Sequence, residues 1–278
     1  MSIPERVTLD LARRIIDAMI AFSMDNGLMP GSYAVTDPGG HVVAFERRDL
    51  APPATADIAI DKAWTAATMR ASGRLLEVIT RGQGWRLNVK YGGRLTVIPG
   101  TVPIIAGSRV IGGIGHSGDS AENDLRIAQA GLAAVYREDP PKLRAIDPRL
   151  AAARSLAERV LEEASRIHYE PIAVAVTDEW GGLVLIYRQD NAPPGLVELA
   201  RSKAWTASAF KMPSEKTRNL CPGLEPSTCR LGWNDRFLPL PGGTYLEWKG
   251  YTFGLGVAGL SPREDGRLAG LFTASYQG

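Results

Sequence analysis

The feature that most constrains this chain is an internal repeat. The segment Thr36–Ala66 recurs without a gap at Thr177–Ala207, so the offset is 177 − 36 = 141 residues. Of the 31 aligned positions, 15 are identical, including Thr-Asp, Arg-x-Asp, Ala-Pro-Pro and Lys-Ala-Trp-Thr-Ala. Chance does not produce such an alignment, so we infer a tandem duplication in which both copies build the same unit.

The length of the chain fits two units of ordinary size. Its 278 residues are enough for each copy to bury its own core. The polar, proline-containing segment Glu138–Pro148 separates the copies and is typical of a linker. We therefore predict domains at residues 1–138 and 149–278, joined by a linker at residues 139–148.

Composition limits the classes of partner. The hydrophobic fraction of 45% and the charged fraction of 22% are typical of a soluble globular protein, and the net charge is only +2. The N-terminal segment lacks an apolar signal-peptide core, and no apolar run approaches the ~18 residues needed to cross a bilayer. We expect a cytoplasmic protein without a nucleic-acid or membrane partner.

Hydrophobic periodicity and turn residues predict one element order in both copies: helix, hairpin, helix, loop, hairpin, helix. Thr8 is expected to cap a helix that runs to about Ser23, and Asp37 to lie in the turn of the first hairpin. Because hairpins dominate and no strand–helix–strand crossover repeats, the predicted fold class is α+β, with an antiparallel sheet flanked by helices.

The helix after the first hairpin is predicted to run from about Ala54 to Ser72. Its core face is expected to include Ile58, Ala63 and either Ala66 or Ala67.

A glycine-containing strand is predicted at Arg109–Gly118, before a helix from Ala121 to about Arg137. Gly113 and Gly115 recur in the second copy at the same offset. Glycine within a strand indicates that another group approaches the backbone closely. Gly113 and Gly115 are therefore candidates for ligand binding.

This strand and helix carry a resemblance to a known family. The sequences VIGGIGHSGDSAENDLRIAQAGLAA and AVTDPGGHVVAFERRD, the latter followed by Lys-Ala-Trp-Thr-Ala, resemble the GlcG/HbpS-like family. The resemblance covers most of the first copy and, more weakly, the second. It implies two tandem profilin-like domains, assembly into homo-oligomers, and association with haem or a corrinoid. The family also includes proteins encoded beside catabolic enzymes.

The chain departs from the family pattern near the end of the glycine strand. His116 stands where the family usually has Val, and Asp119 stands near the usual second glycine of the run. In the second copy, Val257 and Ala258 have replaced the His and the Ser. We therefore expect at most one complete ligand site, in the first copy.

Three residues are the candidates for catalysis: His116, Lys62 and Ser117. His116 suits proton transfer or an axial contact to iron, or else is held by local hydrogen bonds. Lys62, with its counterpart Lys203, could bind a carboxylate or act as a base or Schiff-base nucleophile, unless only its stem is buried. Ser117 either donates to a carboxylate or caps the helix that follows.

The remaining ligand-binding candidates are mainly charged. Arg47 with Asp49, and Arg188 with Asp190, keep a spacing that puts both on one side of a strand, where they either form an ion pair or grip an acidic ligand. Asp124 either contributes to a site or complements the helix dipole as a first-turn acid.

A long loop is predicted at Arg81–Gly93, where basic and aromatic residues interleave. Together with Arg94, this loop favours a cationic lid over an anionic small molecule rather than an RNA surface. Cys221 and Cys229 are expected to be free thiols in another loop, although a disulfide or half a metal site stays open. We predict no metal site.

The sequence supports a small-molecule-binding protein. A finer hypothesis is a catabolic enzyme without an organic cofactor (isomerase, lyase or hydrolase) that acts on an anionic or aromatic metabolite. The alternatives are a haem-binding or haem-sensing module and a catalytically silent assembly protein. Whether the chain is an enzyme stays open at this stage.

Overall fold

The structure, a computed structural model, describes residues 4–81, 83, 88–89, 91–136, 145–167, 170–220 and 236–273. The chain forms two compact units, Met1–Asp147 and Pro148–Gly278. Cys221 and Cys229, most of the predicted linker and part of the predicted Arg81–Gly93 loop lie outside the described residues.

The first unit is a mixed structure of helices and one antiparallel sheet. Its elements are α1 (Leu9–Asp25), β1 (Ser32–Thr36), β2 (Val42–Arg47), α2 (Thr55–Met69), α3 (Gly73–Thr80), β3 (Thr101–Ala106), β4 (Arg109–Ser117) and α4 (Ala121–Val135). The strands lie in the order β3-β4-β1-β2, and each neighbouring pair is antiparallel. Helix α2 packs on the sheet, while α1 packs against α4 and both contact strands.

The second unit repeats this arrangement. Its elements are α5 (Pro148–Ile167), β5 (Ala173–Asp178), β6 (Leu183–Arg188), α6 (Leu196–Phe210), a 3₁₀ helix (Ser214–Leu220), β7 (Gly243–Trp248), β8 (Tyr251–Ala258) and α7 (Pro262–Gly270). The strands lie in the equivalent order β7-β8-β5-β6 and are again antiparallel. The predicted α+β class and the duplication are confirmed.

Local sequence explains where these elements begin. The Thr8 side chain accepts a hydrogen bond from the backbone N–H of Leu11 at 3.2 Å and so caps α1, as predicted. Asp37 accepts backbone N–H groups of Gly39 and His41 at 2.9 and 3.1 Å, which fixes the first hairpin turn.

Two predictions for the α2 region are wrong. The helix ends at Met69 because Arg70 adopts a left-handed conformation (φ 54°), and Ser72 instead caps α3, which the sequence analysis missed. Ile58 is 41% exposed, whereas Ala63, Ala66 and Ala67 are buried. Small residues, rather than the largest apolar side chain, form the face that packs on the sheet.

The strand glycines explain this close packing. A Cβ at Gly115 would collide with the carbonyl oxygen of Ala59, and one at Gly113 with that of Ala63. Gly256 has the same relation to Ala200 in the second unit. The group that approaches Gly113 and Gly115 is therefore the helix backbone, so these glycines have a packing role, as Gly256 has in the second unit.

The last helices of the two units differ in length. Helix α4 has 15 residues, whereas α7 has nine and is followed by the turn residues Leu271–Thr273. No helix among the described residues is long and apolar enough to cross a bilayer.

We predict that Gly115→Ala lowers the free energy of unfolding by about 2–3 kcal/mol, because the added methyl group overpacks the contact with α2. Gly195→Ala is the matched control, since nothing lies within 4 Å of a Cβ at Gly195. Urea denaturation followed by far-UV circular dichroism measures both. Equal midpoints for the two variants would contradict the packing role.

Candidate functional site

The candidate site lies where three elements of the first unit meet. Lys62 comes from α2, His116 from the end of β4, and Asp124 from the first turn of α4. The close approach of α2 to Gly115 carries Lys62 over the end of β4. The side chain of Ser120 accepts from Asn123 N–H and starts α4, which directs Asp124 back toward the strand.

These three residues form a buried hydrogen-bonded network. Lys62 Nζ donates to Asp124 Oδ2 at 2.7 Å and to the carbonyl oxygen of His116 at 2.8 Å. His116 Nδ1 lies 3.0 Å from Asp124 Oδ1, which also accepts the Asp119 N–H at 3.0 Å. The exposed fractions of Lys62, His116 and Asp124 are 1%, 0% and 3%, so solvent does not reach the network in this conformation.

The second unit keeps the lysine and the carboxylate but not the imidazole. Lys203 Nζ donates to Asp265 Oδ2 at 2.7 Å and to the carbonyl oxygen of Val257 at 2.9 Å. Val257 occupies the position of His116, as both pair with the corresponding residue of the neighbouring strand. The Lys–Asp pair is thus a common part of the fold, and the histidine belongs to the first unit.

The histidine changes the ionisation of the carboxylate. Burial raises the pKa of Asp124, but the hydrogen bond from His116 and the charge on Lys62 outweigh burial and hold that pKa below its usual value. Burial also raises the pKa of Asp265, and there Lys203 only partly offsets it, so the pKa stays raised. Asp124 is therefore the better fixed anion of the two.

The imidazole itself is held neutral. Burial lowers the pKa of His116 below its ordinary value of 6.5 and outweighs the opposing effect of Asp124. Burial likewise lowers the pKa of Lys62. Since an ionised Asp124 can only accept, Nδ1 carries the proton of the neutral ring, and Nε2 presents a lone pair.

That lone pair has no protein partner. His116 Nε2 is buried and lacks a hydrogen-bond partner among the described residues. The hydroxyl of Tyr33 is buried as well, and Ser23 and Arg48 lie near it. The two rings are adjacent, with centroids 4.7 Å apart. Gly31 lies so close that a Cβ there would be 2.5 Å from Nε2. Burial raises the pKa of Tyr33 to about 12, so its hydroxyl stays protonated.

The sequence analysis missed Tyr33 and Gly31, although a signal was available. At the offset of 141, Gly31, Tyr33 and His116 correspond to Ile172, Val174 and Val257. Three positions that converge in space have thus changed together from polar or small to aliphatic. The positions at which the two copies differ, rather than those at which they are identical, therefore identify Gly31, Tyr33 and His116 as a group.

Other predicted site residues have structural contacts. Ser117 is buried at the end of β4, and Ser120 caps α4 instead, so the capping alternative for Ser117 is wrong. Arg94 lies outside the network, where Nε contacts Asp61 Oδ1 at 3.2 Å and the guanidinium lies 4.9 Å from the centroid of Trp64.

Arg47 and Arg188 stabilise the turns that follow β2 and β6. Arg47 Nη1 donates to the carbonyl oxygen of Ala51 at 2.8 Å, and Arg188 Nη1 donates to that of Ala192 at 3.1 Å. Strands β2 and β6 end at these arginines, so Asp49 and Asp190 lie beyond the strands. The prediction that each pair shares one side of a strand is wrong, because the chain turns at once after the arginine.

Among the described residues, no group of three or more His, Cys, Asp and Glu side chains is placed to hold a metal ion. What the network can offer is one oriented imidazole with a free lone pair. That group can accept a proton or a hydrogen bond, or coordinate a metal already carried by a ligand.

We predict that Asp124→Ala lowers the free energy of unfolding by about 3–5 kcal/mol, because it leaves the Lys62 ammonium buried without its counter-ion. Asp265→Ala is the matched variant in the unit that lacks the histidine. Urea denaturation should show a loss for both. A loss near that of an exposed ion pair, under about 1 kcal/mol, would contradict a stabilising role.

We predict that His116→Val makes stability less sensitive to acid. The unfolded chain protonates this residue near pH 6.5, whereas the lowered pKa keeps the folded ring neutral to a lower pH. The wild-type free energy of unfolding should therefore fall between pH 6.5 and the folded pKa, by at most about 1.4 kcal/mol per pH unit.

Urea denaturation from about pH 4.5 to about pH 8.5, two units on either side of the ordinary histidine pKa, measures the difference between wild type and His116→Val. The exposed His41 provides the control variant His41→Val. Parallel pH profiles for wild type and His116→Val would show that the folded ring is not held neutral.

Comparison with known proteins gives the chain its family. Protein GlcG of Escherichia coli K12 is 31% identical over 111 residues, which cover 38% of this chain and 81% of GlcG. An uncharacterised 15.0 kDa protein of the dhaT–dhaS intergenic region of Citrobacter freundii is 28% identical over 128 residues, covering 45% of this chain and 89% of that protein.

A solved structure is also similar. The crystal structure of Klebsiella pneumoniae protein ORFY has 25% sequence identity and a TM-score of 0.45, and the match covers 50% of this chain and 99% of that one. The sequence model of the family described as "Haem degrading protein HbpS-like" matches residues 7–133 and 149–271. The chain therefore belongs to the HbpS-like family, with one family unit in each half.

Proposed function

We propose that the chain binds a small molecule through its first unit, and that His116 and Tyr33 contact it. The observation that carries the proposal is His116 Nε2, a buried atom without a hydrogen-bond partner among the described residues, beside the buried ring of Tyr33. Leaving such an atom unpaired costs about 1–3 kcal/mol. A ligand that pairs with Nε2 and lies against the Tyr33 ring would recover that free energy on binding.

The second unit supports a functional reason for this cost. There Val174 and Val257 pair across β5 and β8, the strands that correspond to β1 and β4, and Ile172 takes the place of Gly31. The fold therefore forms with an aliphatic cluster at these positions and does not require the histidine or the tyrosine. Polar groups retained against stability are typical of binding sites.

The main chain covers the imidazole in this structure, so ligand binding in this proposal requires a movement. Gly31 covers Nε2, and Asp119 Oδ2 accepts the N–H of Met29 at 2.9 Å, which ties the segment before β1 to the start of α4. A ligand reaches the imidazole when this segment moves. Lys62 does not bind the ligand in this proposal, because its ammonium is paired with Asp124. It positions Asp124, which in turn orients the imidazole.

Haem is the second candidate for the ligand of this site. An imidazole whose Nδ1–H is held by a carboxylate and whose Nε2 is free is the usual arrangement of a metal-ligating histidine. The family description also names haem. In this candidate Nε2 of His116 would hold the iron and Asp124 would fix the ring, while haem would supply redox and oxygen chemistry.

A cofactor-independent catabolic enzyme is the finer form of the first proposal. In that form the neutral His116 accepts a proton at Nε2 from an anionic or aromatic metabolite, and Asp124 stabilises the imidazolium. Isomerase, lyase and hydrolase reactions all fit a single oriented base. Assembly into homo-oligomers and a cytoplasmic location stay predictions from the sequence.

A haem titration tests the haem candidate. We predict that the wild-type chain gives a shifted, saturable Soret band, that His116→Val weakens haem binding at least about tenfold, corresponding to 1.4 kcal/mol, and that His41→Val leaves it unchanged. Circular dichroism confirms that each variant is folded. A Soret band unaltered by His116→Val would remove haem coordination at this site.

Thermal-shift screening of small carboxylates and aromatic metabolites tests the broader proposal. A compound that stabilises the wild-type chain should stabilise Tyr33→Val and His116→Val less, since each variant replaces a contacting ring by the valine found at that position in the second unit. Equal stabilisation of all three proteins by every binding compound would show that the ligand site lies elsewhere.

A further inference from the structure

A cavity in the second unit lies away from the positions that correspond to the His116 network. Its volume is about 480 Å³, and α5, the β7–β8 turn and the residues after α7 line it. Trp248 and Phe272 form a buried aromatic wall, with ring centroids 6.1 Å apart. This volume lies within the range of about 300–1,000 Å³ that is typical of small-molecule sites.

The cavity follows from the shortened last helix. In the first unit, α4 continues to Val135, and Gly131 packs so closely on α1 that a Cβ there would lie 2.6 Å from Met19 Cγ. In the second unit, α7 ends at Gly270, and Phe272 stands at the position that corresponds to Gly131. A helix residue that packs on α1 in one copy thus corresponds to an aromatic side chain that lines the cavity in the other.

The rim of the cavity carries two cations. Lys249, in the β7–β8 turn, is exposed and has no ion-pair or hydrogen-bond partner in the described part of the chain. Arg159 of α5 has a side chain that is 63% exposed, with a contact of 3.3 Å to Glu162. The acidic residue of the lining, Glu163, is paired with Arg166, so its charge is already compensated.

The backbone conformation of Lys249 also supports a role for its side chain. Lys249 has φ 49°, a left-handed conformation that is unfavourable for a residue with a side chain. The corresponding residue of the first unit's turn is Gly107, which adopts φ 60° without this cost. The second unit therefore carries an ammonium group at a turn position where glycine would be less strained, and that group stands at the mouth of the cavity.

We propose that this cavity binds a flat aromatic carboxylate, with the rings against Trp248 and Phe272 and the carboxylate at Lys249 and Arg159. Aromatic walls favour a planar apolar body, and an unpaired ammonium beside a guanidinium favours an anion. The duplication would then have produced two sites that use different groups: an imidazole in the first unit, and an aromatic wall with two cations in the second.

The test is isothermal titration of the full-length chain with 2-naphthoate. We expect saturable binding with one site per chain, weakened about tenfold or more by Lys249→Glu, and weaker binding of the uncharged analogue 2-naphthol. Leu271→Trp, which adds bulk at a partly exposed rim position, should also weaken binding.

Lys211→Glu is the matched control. Lys211 is also exposed, has φ 53° and lies beside an aromatic ring, Trp180, but that ring is 79% exposed and lines no part of this cavity. Absence of saturable naphthoate binding, or equal weakening by Lys211→Glu and Lys249→Glu, would overturn the proposal. Because the proposed His116 site also accepts anionic or aromatic compounds, the titration is repeated on His116→Val: loss of naphthoate binding would place the ligand in the first unit and overturn this inference, whereas retained binding leaves the cavity of the second unit as the site.

Discussion

The structure of each unit depends on one buried ion pair between a lysine of the central helix and an aspartate of the last helix. The lysine also donates to a carbonyl oxygen at the end of a strand, so a single ammonium joins three elements that are distant in sequence. Both units keep the same sequence separations, 54 and 62 residues, between the bonded groups. A buried charge is costly alone, so loss of either partner affects the whole junction.

The two units show what has been added to this common frame. In the first, the aspartate also holds an imidazole, and the neighbouring strand contributes a tyrosine and a glycine. In the second, three aliphatic residues occupy these positions, and the aspartate has no imidazole partner but keeps the backbone N–H contact, from Leu260, that Asp119 makes in the first. One copy thus acts as an internal reference for the other, since the same fold surrounds a polar cluster in one case and an apolar cluster in the other.

Much of the fold could be predicted from the sequence, because the repeat, the Asp37 turn and the Thr8 cap are local signals. The exposed Ile58 and the start of α3 at Ser72 could not, because packing of small residues against Gly113 and Gly115 is a tertiary effect. His116, Lys62 and Asp124 were each identified as candidates, but sequence spacing did not show that they bond to one another. The position of Tyr33 beside His116 became evident only with the strand register.

Gly31 has a consequence for the speed of events at the imidazole. Gly31 places main chain, with no side chain that could rotate away, beside His116 Nε2, so a ligand in the proposed binding mode would reach that nitrogen through a shift of the segment between α1 and β1. Side chains change rotamer in picoseconds to nanoseconds, whereas loop segments move in nanoseconds to microseconds. The rate of ligand binding at this nitrogen would therefore be limited by a backbone motion, and a bulkier residue at position 31 would change that rate as well as the binding equilibrium.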